Sequence, residues 1–292
     1  MDNRKFCVLV NPIAGRGRAL SLVNKIEKYL QKHAINFHTH ITKNIQEAKE
    51  AALAGIKRNE IIASVGGDGT VRALLAVIYE NQGTLALIPA GRGNDLARVL
   101  KIPLHPLRAC QLLVRGKIIK IDLAKVNGQP FLGICSLGFD SLANDIANRA
   151  RFIKGPAVYL MSGLQALFKF KPISFKVQID NVDIDHLGYT VAVANAPYYG
   201  GGIKLAPNAS LQDGLLDIVM VSDISKWRAL TAIPHLFKGT HLDLPGFKVL
   251  QGKQVTINAP QQYLAYADGD AICSPPVKIS LIPSALSVIV PQ

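Results

Sequence analysis

Short apolar segments alternate with longer segments of helical periodicity along the first 115 residues of the chain. KFCVLV, INFHTHI, IIASV and TLALIPA have the composition of buried strands, and a helical stretch follows each of them. In residues 19–33, for instance, Leu20, Val23, Ile26 and Leu30 fall on one face of a helix. Strands and helices that alternate at this length predict a parallel sheet covered by helices on both faces.

The pattern changes after residue 115. SFKVQID, YTVAVANA and VKISLI are strand-like segments, and turn signals such as NGQ and DNVD join segments of this kind. Helical stretches interrupt them at residues 139–149, 157–170 and 225–238. Because 292 residues suffice for two domains, we expect an α/β domain over residues 1–120 and a mostly antiparallel β domain with helical insertions over residues 121–284.

Basic residues outnumber acidic ones. The 33 Lys and Arg exceed the 20 Asp and Glu, which gives a formal net charge of +13. This excess favours an anionic partner, and nucleic acid, an acidic lipid surface and nucleotide phosphates all qualify.

Several features indicate a cytoplasmic protein. The four cysteines are far apart and lie mostly in apolar runs, as reduced core residues do. The first five residues lead into a strand rather than into a secretory signal. The longest hydrophobic stretch, residues 155–170, is too short to span a bilayer.

Three glycine-rich loops follow predicted strands. They are NPIAGRGR at residues 11–18, GGDGT at residues 66–70 and PAGRGND at residues 89–95. Parallel strands present such loops at one edge of the sheet, where helix N-termini attract anions. None of the three is a P-loop, because no lysine follows the glycines at the required position, and GRGRAL lacks the third glycine of a dinucleotide fingerprint.

Asp68 places a negative charge inside the second loop. A carboxylate repels phosphates unless a divalent cation lies between them. Asp68 therefore predicts a magnesium-nucleotide site, with the backbone amides of Gly66, Gly67 and Gly69 facing phosphate oxygens. The alternative is structural, since Asp68 and Thr70 are also plausible helix caps.

Five segments occur together in an order and approximate spacing that is typical of a known family. They are NPIAGRGR, SVGGDGTV, PAGRGNDLAR, APNASLQDGLLDIV and YADGD. On these segments the chain resembles the diacylglycerol kinase catalytic-domain superfamily. Within it, the chain is most similar to the bacterial soluble lipid kinases, which include diacylglycerol kinases and relatives of sphingosine kinases. The resemblance covers nearly the whole chain.

This resemblance implies a fold. The N-terminal α/β domain would be similar to those of NAD kinase and phosphofructokinase, and the C-terminal domain would be an antiparallel β-sandwich. The final strand, residues 285–292, would return to the N-terminal domain. The active site would lie in the cleft between the two domains.

The resemblance also implies which residues bind ATP. By motif match they are Asn11, Thr42, Gly66, Gly67, Asp68, Gly69 and Thr70, with Arg92, Asn94 and Asp95 in the third loop. Thr42 has a structural alternative as a helix N-cap, and so have Asn94 and Asp95. Arg92 is a departure, because relatives usually carry threonine there; an arginine can still pair with a phosphate.

YADGD supplies two carboxylates around a glycine. Phosphoryl transfer needs a base that accepts the proton of the acceptor hydroxyl. The resemblance assigns this role to Asp268 and a supporting role to Asp270, which stands where relatives commonly have Glu. The alternative is an ordinary hairpin turn.

SLQDGLLD matches the segment in which bacterial relatives bind a structural magnesium ion. Asp213 would contribute its side chain, and Ser210 and Leu215 would contribute backbone carbonyls. Such hard oxygen ligands suit Mg²⁺. The alternative is a turn before a strand.

The lipid side of the site is less specific. Residues 151–170 combine apolar side chains with Arg151, Lys154 and Lys169, which suits either a lipid slot or an acidic membrane surface. A core helix with charged ends is the alternative.

The hypothesis from the sequence is a cytoplasmic, peripherally membrane-associated lipid kinase. It would use ATP and Mg²⁺ to phosphorylate a hydroxyl of diacylglycerol or a related lipid. Its partners would be that lipid and an anionic membrane surface rather than nucleic acid, and a homodimer stays open. The alternatives are a kinase of a soluble acceptor, similar to NAD kinase, and a lipid- or nucleotide-binding protein without turnover.

Overall fold

A computed structural model of the chain describes residues 4–149 and 156–292. The chain divides into two compact units. The first unit comprises Met1–Leu123 and Pro283–Gln292, and the second comprises Ala124–Ile282. Within the described residues, no helix combines the length and the apolar character that crossing a membrane requires.

The first unit contains alternating strands and helices followed by three short helices. In chain order they are β1 (Lys5–Val10), α1 (Arg18–Lys32), β2 (Asn36–Ile41), α2 (Ile45–Lys57), β3 (Ile61–Gly66), α3 (Asp68–Glu80), β4 (Thr84–Pro89), α4 (Asp95–Val99), α5 (Pro106–Ala109), α6 (Gln111–Arg115) and β5 (Lys117–Val126), which continues into the second unit.

The second unit consists mainly of strands. In chain order its elements are β6 (Gln129–Phe131), β7 (Ile134–Gly138), α7 (Phe139–Arg149), α8 (Pro156–Lys169), β8 (Ile173–Ile179), β9 (Val182–Ala194), β10 (Tyr198–Tyr199), β11 (Ile203–Lys204), β12 (Leu216–Ser222), α9 (Lys226–Lys238), a 3-10 helix (His241–Asp243), β13 (Phe247–Gly252), β14 (Gln254–Asn258), β15 (Ala265–Ala267), β16 (Asp270–Cys273) and β17 (Val277–Val290), whose end belongs to the first unit.

Parallel strands form the sheet of the first unit. Their order is β2, β1, β3, β4, and the end of β17 pairs in parallel with β4 through Ser287 and Val288. Alternate residues of β1 face opposite sides of this sheet. Phe6 and Val8 lie in a buried cluster with the inward face of α1, and Cys7 faces α2. The predicted parallel sheet with helices on both faces is confirmed.

Helix α2 begins at a side-chain N-cap. Asn44 Oδ1 accepts a hydrogen bond from the Glu47 N–H at 2.9 Å, which satisfies a donor that the first turn leaves unpaired. Glu47 Oε2 accepts a second bond, at 2.7 Å, from the N–H of Lys43, which precedes the cap. The two bonds therefore define where α2 starts.

The sheet of the second unit is antiparallel. Strand β9 pairs with β7, β8 and β12, while β14 pairs with β8 and with the first part of β17. Strand β15 pairs with β7 and β16. Phe131, Phe175, Val191, Ile218 and Ile257 are among the buried residues of one large apolar cluster. The predicted antiparallel β unit with helical insertions is confirmed.

Candidate functional site

The three glycine-rich loops of the first unit meet at the carboxyl ends of its parallel strands. The first loop follows β1, the second follows β3 and the third follows β4. The Ala90 N–H donates to the Gly66 carbonyl at 2.7 Å, and the Asn11 N–H donates to the Val65 carbonyl at 3.2 Å. Backbone hydrogen bonds thus join the second loop to the other two.

Glycines allow this close approach. A Cβ atom on Gly67 would lie 2.8 Å from Gly91 Cα, and one on Gly91 would overlap Gly67 Cα. A Cβ atom on Gly15 would overlap the carbonyl oxygen of Ala90, and Gly15 also has a φ of +60°. The glycines therefore let the backbones of neighbouring loops touch, a requirement that a turn alone would not impose.

Asn11 and Thr70 connect the first loop to the start of α3. Asn11 Nδ2 donates to Thr70 Oγ1 at 3.0 Å, and the Thr70 N–H donates to the Gly67 carbonyl at 2.9 Å. Asn11 Oδ1 accepts from the Ile13 N–H at 3.2 Å. Both predicted nucleotide-binding side chains thus belong to one hydrogen-bonded group.

Asp68 is the first residue of α3, and Gly67 occupies the N-cap position without a side-chain cap. The Asp68 carboxylate instead reaches α4, where Oδ1 accepts a hydrogen bond from the Leu96 N–H at 3.3 Å. Leu96 lies in the first turn of α4. Asp68 therefore does not cap its own helix. Its structural role is a hydrogen bond to α4.

Asn94 organises the third loop. It has a φ of 54° and is 8% exposed, and its amide closes the loop on itself. The Gly91 N–H donates to Asn94 Oδ1, and Asn94 Nδ2 donates to the Gly91 carbonyl, both at 3.1 Å. Asp95 begins α4 with Oδ1 4.0 Å from Arg98 Nε. Arg92 is exposed. Of these side chains, Asn94 acts on the loop backbone and does not cap α4.

Thr42 is buried directly after β2. Its hydroxyl donates to the Val10 carbonyl at 3.2 Å, and its N–H donates to the same oxygen at 3.0 Å. The alternative of a helix N-cap is wrong for Thr42, because Asn44 holds that position in α2. Thr42 therefore borders the first loop, since Val10 precedes Asn11.

This arrangement fits a phosphate group with a bound cation. The first turn of α3 presents backbone N–H groups that the helix itself does not use. Gly67 and Gly91 bring the backbones of the second and third loops into contact, and a Cβ atom on Gly69 would meet nothing within 4 Å, so the first turn of α3 is open to a ligand. Asp68 adds a carboxylate, a hard ligand for Mg²⁺ or its waters.

Asp268 lies in the second unit, in the turn between β15 and β16. Its Oδ1 accepts hydrogen bonds from the backbone N–H groups of Gly133 at 2.9 Å and Ile134 at 3.2 Å, and its Oδ2 accepts one from Leu132 at 3.0 Å. The Asp268 N–H donates to the Ile134 carbonyl at 3.1 Å. Three consecutive backbone donors therefore hold this carboxylate in one orientation.

Gly133 makes room for the carboxylate. A Cβ atom on Gly133 would lie 2.5 Å from Asp268 Oδ1. Asp268 itself has a φ of 48°, which an aspartate tolerates better than most residues. Asp270 is exposed at the start of β16, where it pairs in register with Ala267. The two carboxylates of YADGD thus occupy different surroundings.

The predicted magnesium segment forms a tight turn before β12. Asp213 Oδ1 accepts a hydrogen bond from the Leu215 N–H at 3.1 Å, and Ser210 Oγ accepts one from the Gln212 N–H at 3.2 Å. Gly214 has a φ of 73°. Asp213 and Leu215 are thus joined by a hydrogen bond, and Ser210 bonds to Gln212.

Asp217 is a buried acid that sequence reasoning missed. It is 3% exposed, and its Oδ1 accepts a hydrogen bond from Gln251 Nε2 at 3.3 Å. Among the described residues, its Oδ2 has no hydrogen-bond partner. Burial raises the pKa of this carboxyl, and the negative charge of Asp213 raises it further. A cation beside Asp213 would relieve both effects, so the segment fits Mg²⁺. In the sequence, Asp217 could have been noticed as the second aspartate of DGLLD, residues 213–217.

Exposed aromatic and basic side chains lie together on α8 and α9. Trp227, Phe168 and Phe237 are 79%, 59% and 55% exposed. Lys226 Nζ donates to the Phe168 carbonyl at 2.6 Å and lies 5.6 Å from the centre of its ring. Arg228 and Lys238 are exposed on the same helix as Trp227. Lys226, Trp227, Phe237 and Lys238 fall on one side of α9 at helical spacing, and with Phe168, which Lys226 contacts, we call them the aromatic–basic surface.

Part of the predicted lipid segment lies outside the described residues. Arg151 and Lys154 belong to that part, and Lys169 is exposed at the end of α8. Sequence reasoning concentrated on residues 151–170 and did not assign a surface role to α9. The sequence feature that could have indicated a surface role for α9 is KWR at residues 226–228, which contains the single tryptophan of the chain.

Two family models match the chain. The model of the diacylglycerol kinase catalytic domain matches residues 5–126. The model of the YegS C-terminal NAD kinase beta sandwich-like domain matches residues 133–290. The predicted fold class, an NAD kinase-like α/β domain followed by an antiparallel β-sandwich, is confirmed.

Known proteins are similar over nearly the full length. A diacylglycerol kinase of Mycobacterium tuberculosis is 33% identical over 296 residues, which cover 99% of this chain and 96% of that protein. A protein of Yersinia enterocolitica named "Probable lipid kinase YegS-like" is 27% identical over 283 residues, which cover 92% of this chain and 92% of that protein. A crystal structure of a diacylglycerol kinase from Bacillus anthracis has a TM-score of 0.76 at 23% identity and covers 99% of this chain and 97% of that chain.

Proposed function

The chain belongs to the diacylglycerol kinase family, and from this premise we propose that it is an ATP- and Mg²⁺-dependent lipid kinase that phosphorylates a hydroxyl of diacylglycerol or a related lipid. The observation that carries the proposal is the meeting of three glycine-rich loops around Gly67 and Asp68. Loops in contact, with the start of α3 and a carboxylate beside them, can supply the positioning and charge neutralisation on which phosphoryl transfer depends.

In the proposal, the first unit binds the nucleotide. Backbone N–H groups at the start of α3 hold phosphate oxygens, and Asp68 faces Mg²⁺ or its waters. The remaining residues of the proposed nucleotide site keep the loops in place or border them. The complete proposed site is Asn11, Thr42, Gly66, Gly67, Asp68, Gly69, Thr70, Arg92, Asn94 and Asp95. Bound Mg²⁺ would supply charge neutralisation on the phosphates.

Asp268 is the proposed catalytic base. It accepts the proton of the lipid hydroxyl while that oxygen forms a bond to the γ-phosphorus of ATP. The bond from the γ-phosphorus to its bridging oxygen breaks, and ADP leaves. The three amide contacts of Asp268 support the role because they fix the direction of its carboxylate. Asp270 is proposed to assist. That the active site lies between the two units stays a prediction.

A second magnesium ion is proposed to have a structural role. Asp213 would bind it through the side chain, and Ser210 and Leu215 would bind it through backbone carbonyls. The unpartnered Oδ2 of buried Asp217 supports an ion at this turn. The ion would order the turn before β12 and would not take part in transfer.

An acceptor panel tests the proposed activity. ADP release would be measured with mixed micelles of diacylglycerol, monoacylglycerol or a sphingoid base, with NAD, and without acceptor. We expect release with one of the lipids to exceed the acceptor-free rate by at least about tenfold, as turnover by a kinase exceeds background hydrolysis.

The other outcomes discriminate between the alternatives. Release that depends on NAD alone would identify a kinase of a soluble acceptor. Equal and negligible release throughout, with nucleotide still bound, would leave the non-catalytic binding protein. Either result would contradict a lipid kinase.

We also propose that the aromatic–basic surface contacts an anionic membrane. Aromatic side chains with basic neighbours are typical of helices that lie in the membrane interface. The formal net charge of +13 favours an acidic lipid surface. The lipid substrate gives such a contact its purpose, because diacylglycerol resides in a bilayer.

Replacing Trp227 with alanine should weaken binding to vesicles of anionic phospholipid. A buried aromatic side chain removes about 150–250 Å² from water, and we expect a loss of roughly tenfold in vesicle affinity. Co-sedimentation with the vesicles measures it. Val182→Ala is the matched control, since Val182 is 62% exposed but lies at the start of β9, outside the aromatic–basic surface. Equal losses in both variants would contradict the assignment.

A further inference from the structure

A second group of metal-ligating side chains lies in the first unit, away from the phosphate-binding loops. Cys7 lies in β1 opposite His38 of β2 in the parallel register. Glu60 directly precedes β3, at the end of that strand that is remote from GGDGT. The three residues come from neighbouring strands, and they lie at the amino-terminal end of the sheet rather than at the loop end.

Helix α2 covers this group. Cys7 Sγ lies 3.9 Å from the Ala51 carbonyl oxygen. A Cβ atom on Gly55 would lie 2.9 Å from Cys7 Cβ and 3.2 Å from a Glu60 carboxylate oxygen. The glycine therefore lets α2 pass directly over the cysteine and the glutamate.

The donor atoms are close enough for one ion. Cys7 Sγ, an imidazole nitrogen of His38 and a carboxylate oxygen of Glu60 all lie within 4.8 Å of one another. His38 Nδ1 and Glu60 Oε1 are 3.5 Å apart. Ligand atoms of a tetrahedral zinc site are separated by about 3.4 Å, given metal–ligand distances of about 2.0–2.3 Å. The other two separations are within 4.8 Å, so the three donors draw closer when an ion binds.

Solvent reaches the group from one side. Cys7 is fully buried and the Glu60 side chain is 10% exposed, but the His38 side chain is 43% exposed. A cavity of about 460 Å³ lies beside His38 and is also lined by His40 and Arg58. His40 follows two residues after His38 on the same face of β2. An ion can thus arrive through the cavity and bind to the buried donors.

We propose that Cys7, His38 and Glu60 bind a divalent transition-metal ion of the zinc class, with a fourth position open towards the cavity. One sulfur, one nitrogen and one oxygen donor suit zinc or cobalt and do not suit Mg²⁺, which prefers oxygen ligands alone. On binding, the Cys7 S–H bond is replaced by a sulfur–metal bond and the proton passes to solvent. The site is therefore separate from the magnesium sites of the proposed function.

Arg58 is the competing partner of Glu60. Its Nε lies 3.1 Å from Glu60 Oε1, and one terminal nitrogen lies 3.0 Å from Oε2 and 3.1 Å from His38 Nε2. A carboxylate has two oxygens, so Glu60 can give Oε1 to the metal and keep Oε2 on Arg58. In that arrangement Arg58 orients a metal ligand, as outer hydrogen-bond partners of metal sites do.

A reactive thiol is the other use of such a cysteine, and the surroundings disfavour it. Burial raises the pKa of Cys7 to about 11, and the charge of Glu60 adds to this effect while Arg58 opposes it. Nucleophilic cysteines have lowered pKa values and are accessible to solvent.

Cobalt binding tests the site. Tag-free, full-length protein would be titrated with Co²⁺ in chelator-free buffer while the absorption spectrum is recorded. We expect one equivalent to produce a thiolate-to-cobalt charge-transfer band together with the visible bands of four-coordinate cobalt. Zn²⁺ should abolish these bands by displacement, and millimolar Mg²⁺ should leave them unchanged.

Matched variants assign the ligands. Cys7→Ser should lose the charge-transfer band, while Cys110→Ser, which removes another fully buried thiol of the first unit, should keep it. His38→Gln alters a half-exposed side chain and should weaken cobalt binding by at least about tenfold, as loss of a direct ligand does. His235→Gln, at an exposed hydrogen bond in α9, should bind cobalt as the unmodified protein does.

Three results would each overturn the proposal. The first is the absence of the charge-transfer band from the unmodified protein at stoichiometric cobalt. The second is a band that survives in Cys7→Ser, and the third is an unchanged cobalt affinity in His38→Gln. Since His38→Gln leaves the buried core intact, the test stands even if Cys7→Ser fails to fold.

Discussion

Asp268→Asn is expected to lower kcat by about 10²–10⁴-fold, the usual contribution of a general base. The substitution removes the group that accepts the proton of the lipid hydroxyl. Nucleotide affinity should stay within about twofold, because Asp268 belongs to the second unit and the nucleotide-binding residues belong to the first. Initial rates at saturating ATP and lipid, together with a nucleotide titration, measure the two quantities.

The fold of this variant needs a matched control. Asparagine can keep one oxygen on the Gly133 and Ile134 amides, but its NH₂ group would then face the Leu132 N–H. Two donors that face each other cost stability, so a loss of rate could follow from local rearrangement. The control must therefore remove a carboxylate that accepts backbone N–H groups as Asp268 does but that has no proposed part in proton transfer.

Asp180 provides that control. Its φ is 52°, and its Oδ1 accepts hydrogen bonds from the N–H groups of Lys253 at 3.0 Å and Gln254 at 2.9 Å. Asp180→Ala leaves both of these N–H groups without their acceptor, so it should also lower the thermal midpoint, and it should leave kcat within about twofold. If Asp268→Asn retains the full rate, or if both variants lose rate equally, Asp268 is not the base.

The regular elements of the first unit could be predicted from the sequence. Apolar residues at helical spacing indicated a helix at residues 19–33, and α1 spans Arg18–Lys32. The periodic stretch that carries Val71, Leu74 and Ile78 is α3. These predictions succeeded because each helix buries one stripe of side chains, and that stripe is written in consecutive residues.

The hydrogen-bond partners of the site could not be predicted in the same way. Asp68 bonds to Leu96, 28 residues away, and Asp268 bonds to Leu132, 136 residues away. Local spacing says nothing about which backbone donors a folded chain brings to a carboxylate. The motifs therefore pointed to loops that do lie together, but the alternative of Asp68 as the cap of α3 is wrong, because Gly67 holds that position.

Glycine in a motif also has more than one physical cause. At Gly214 a positive φ alone is sufficient reason, because a Cβ atom would meet nothing within 4 Å. At Gly67 and Gly91, glycine is required because two loops that are distant in the sequence are in contact there. The sequence shows glycine at all of these positions alike, and only the packing distinguishes a turn from a contact between two loops.

The same limit explains the group around Cys7. INFHTHI was identified as a strand, and its two histidines alternate towards one face. The cysteine and glutamate that lie beside His38 are 31 and 22 residues away along the chain. Their proximity depends on the order of β2, β1 and β3 in the sheet, which alternation of strands and helices does not specify.

Asp68→Asn is expected to weaken nucleotide binding in the presence of Mg²⁺ by at least about tenfold, or about 1.4 kcal/mol. The variant keeps an oxygen that can accept the Leu96 N–H bond, and it loses only the charge. The proposed contact with Mg²⁺ needs that charge, whereas a contact with α4 does not. Asn in place of Asp therefore separates the two roles, which alanine would remove together.

Titration calorimetry with a non-hydrolysable ATP analogue, in Mg²⁺ and again in EDTA, measures the effect. The unmodified protein should bind more tightly in Mg²⁺, and Asp68→Asn should bind almost equally in both. Glu80→Gln removes one negative charge from the exposed opposite end of α3 and should behave as the unmodified protein does. Asp68→Ala should in addition lose about 1 kcal/mol of stability with the Leu96 bond. If Asp68→Asn keeps the full Mg²⁺-dependent affinity, Asp68 serves only to join α3 to α4, and the cation must be held by other residues.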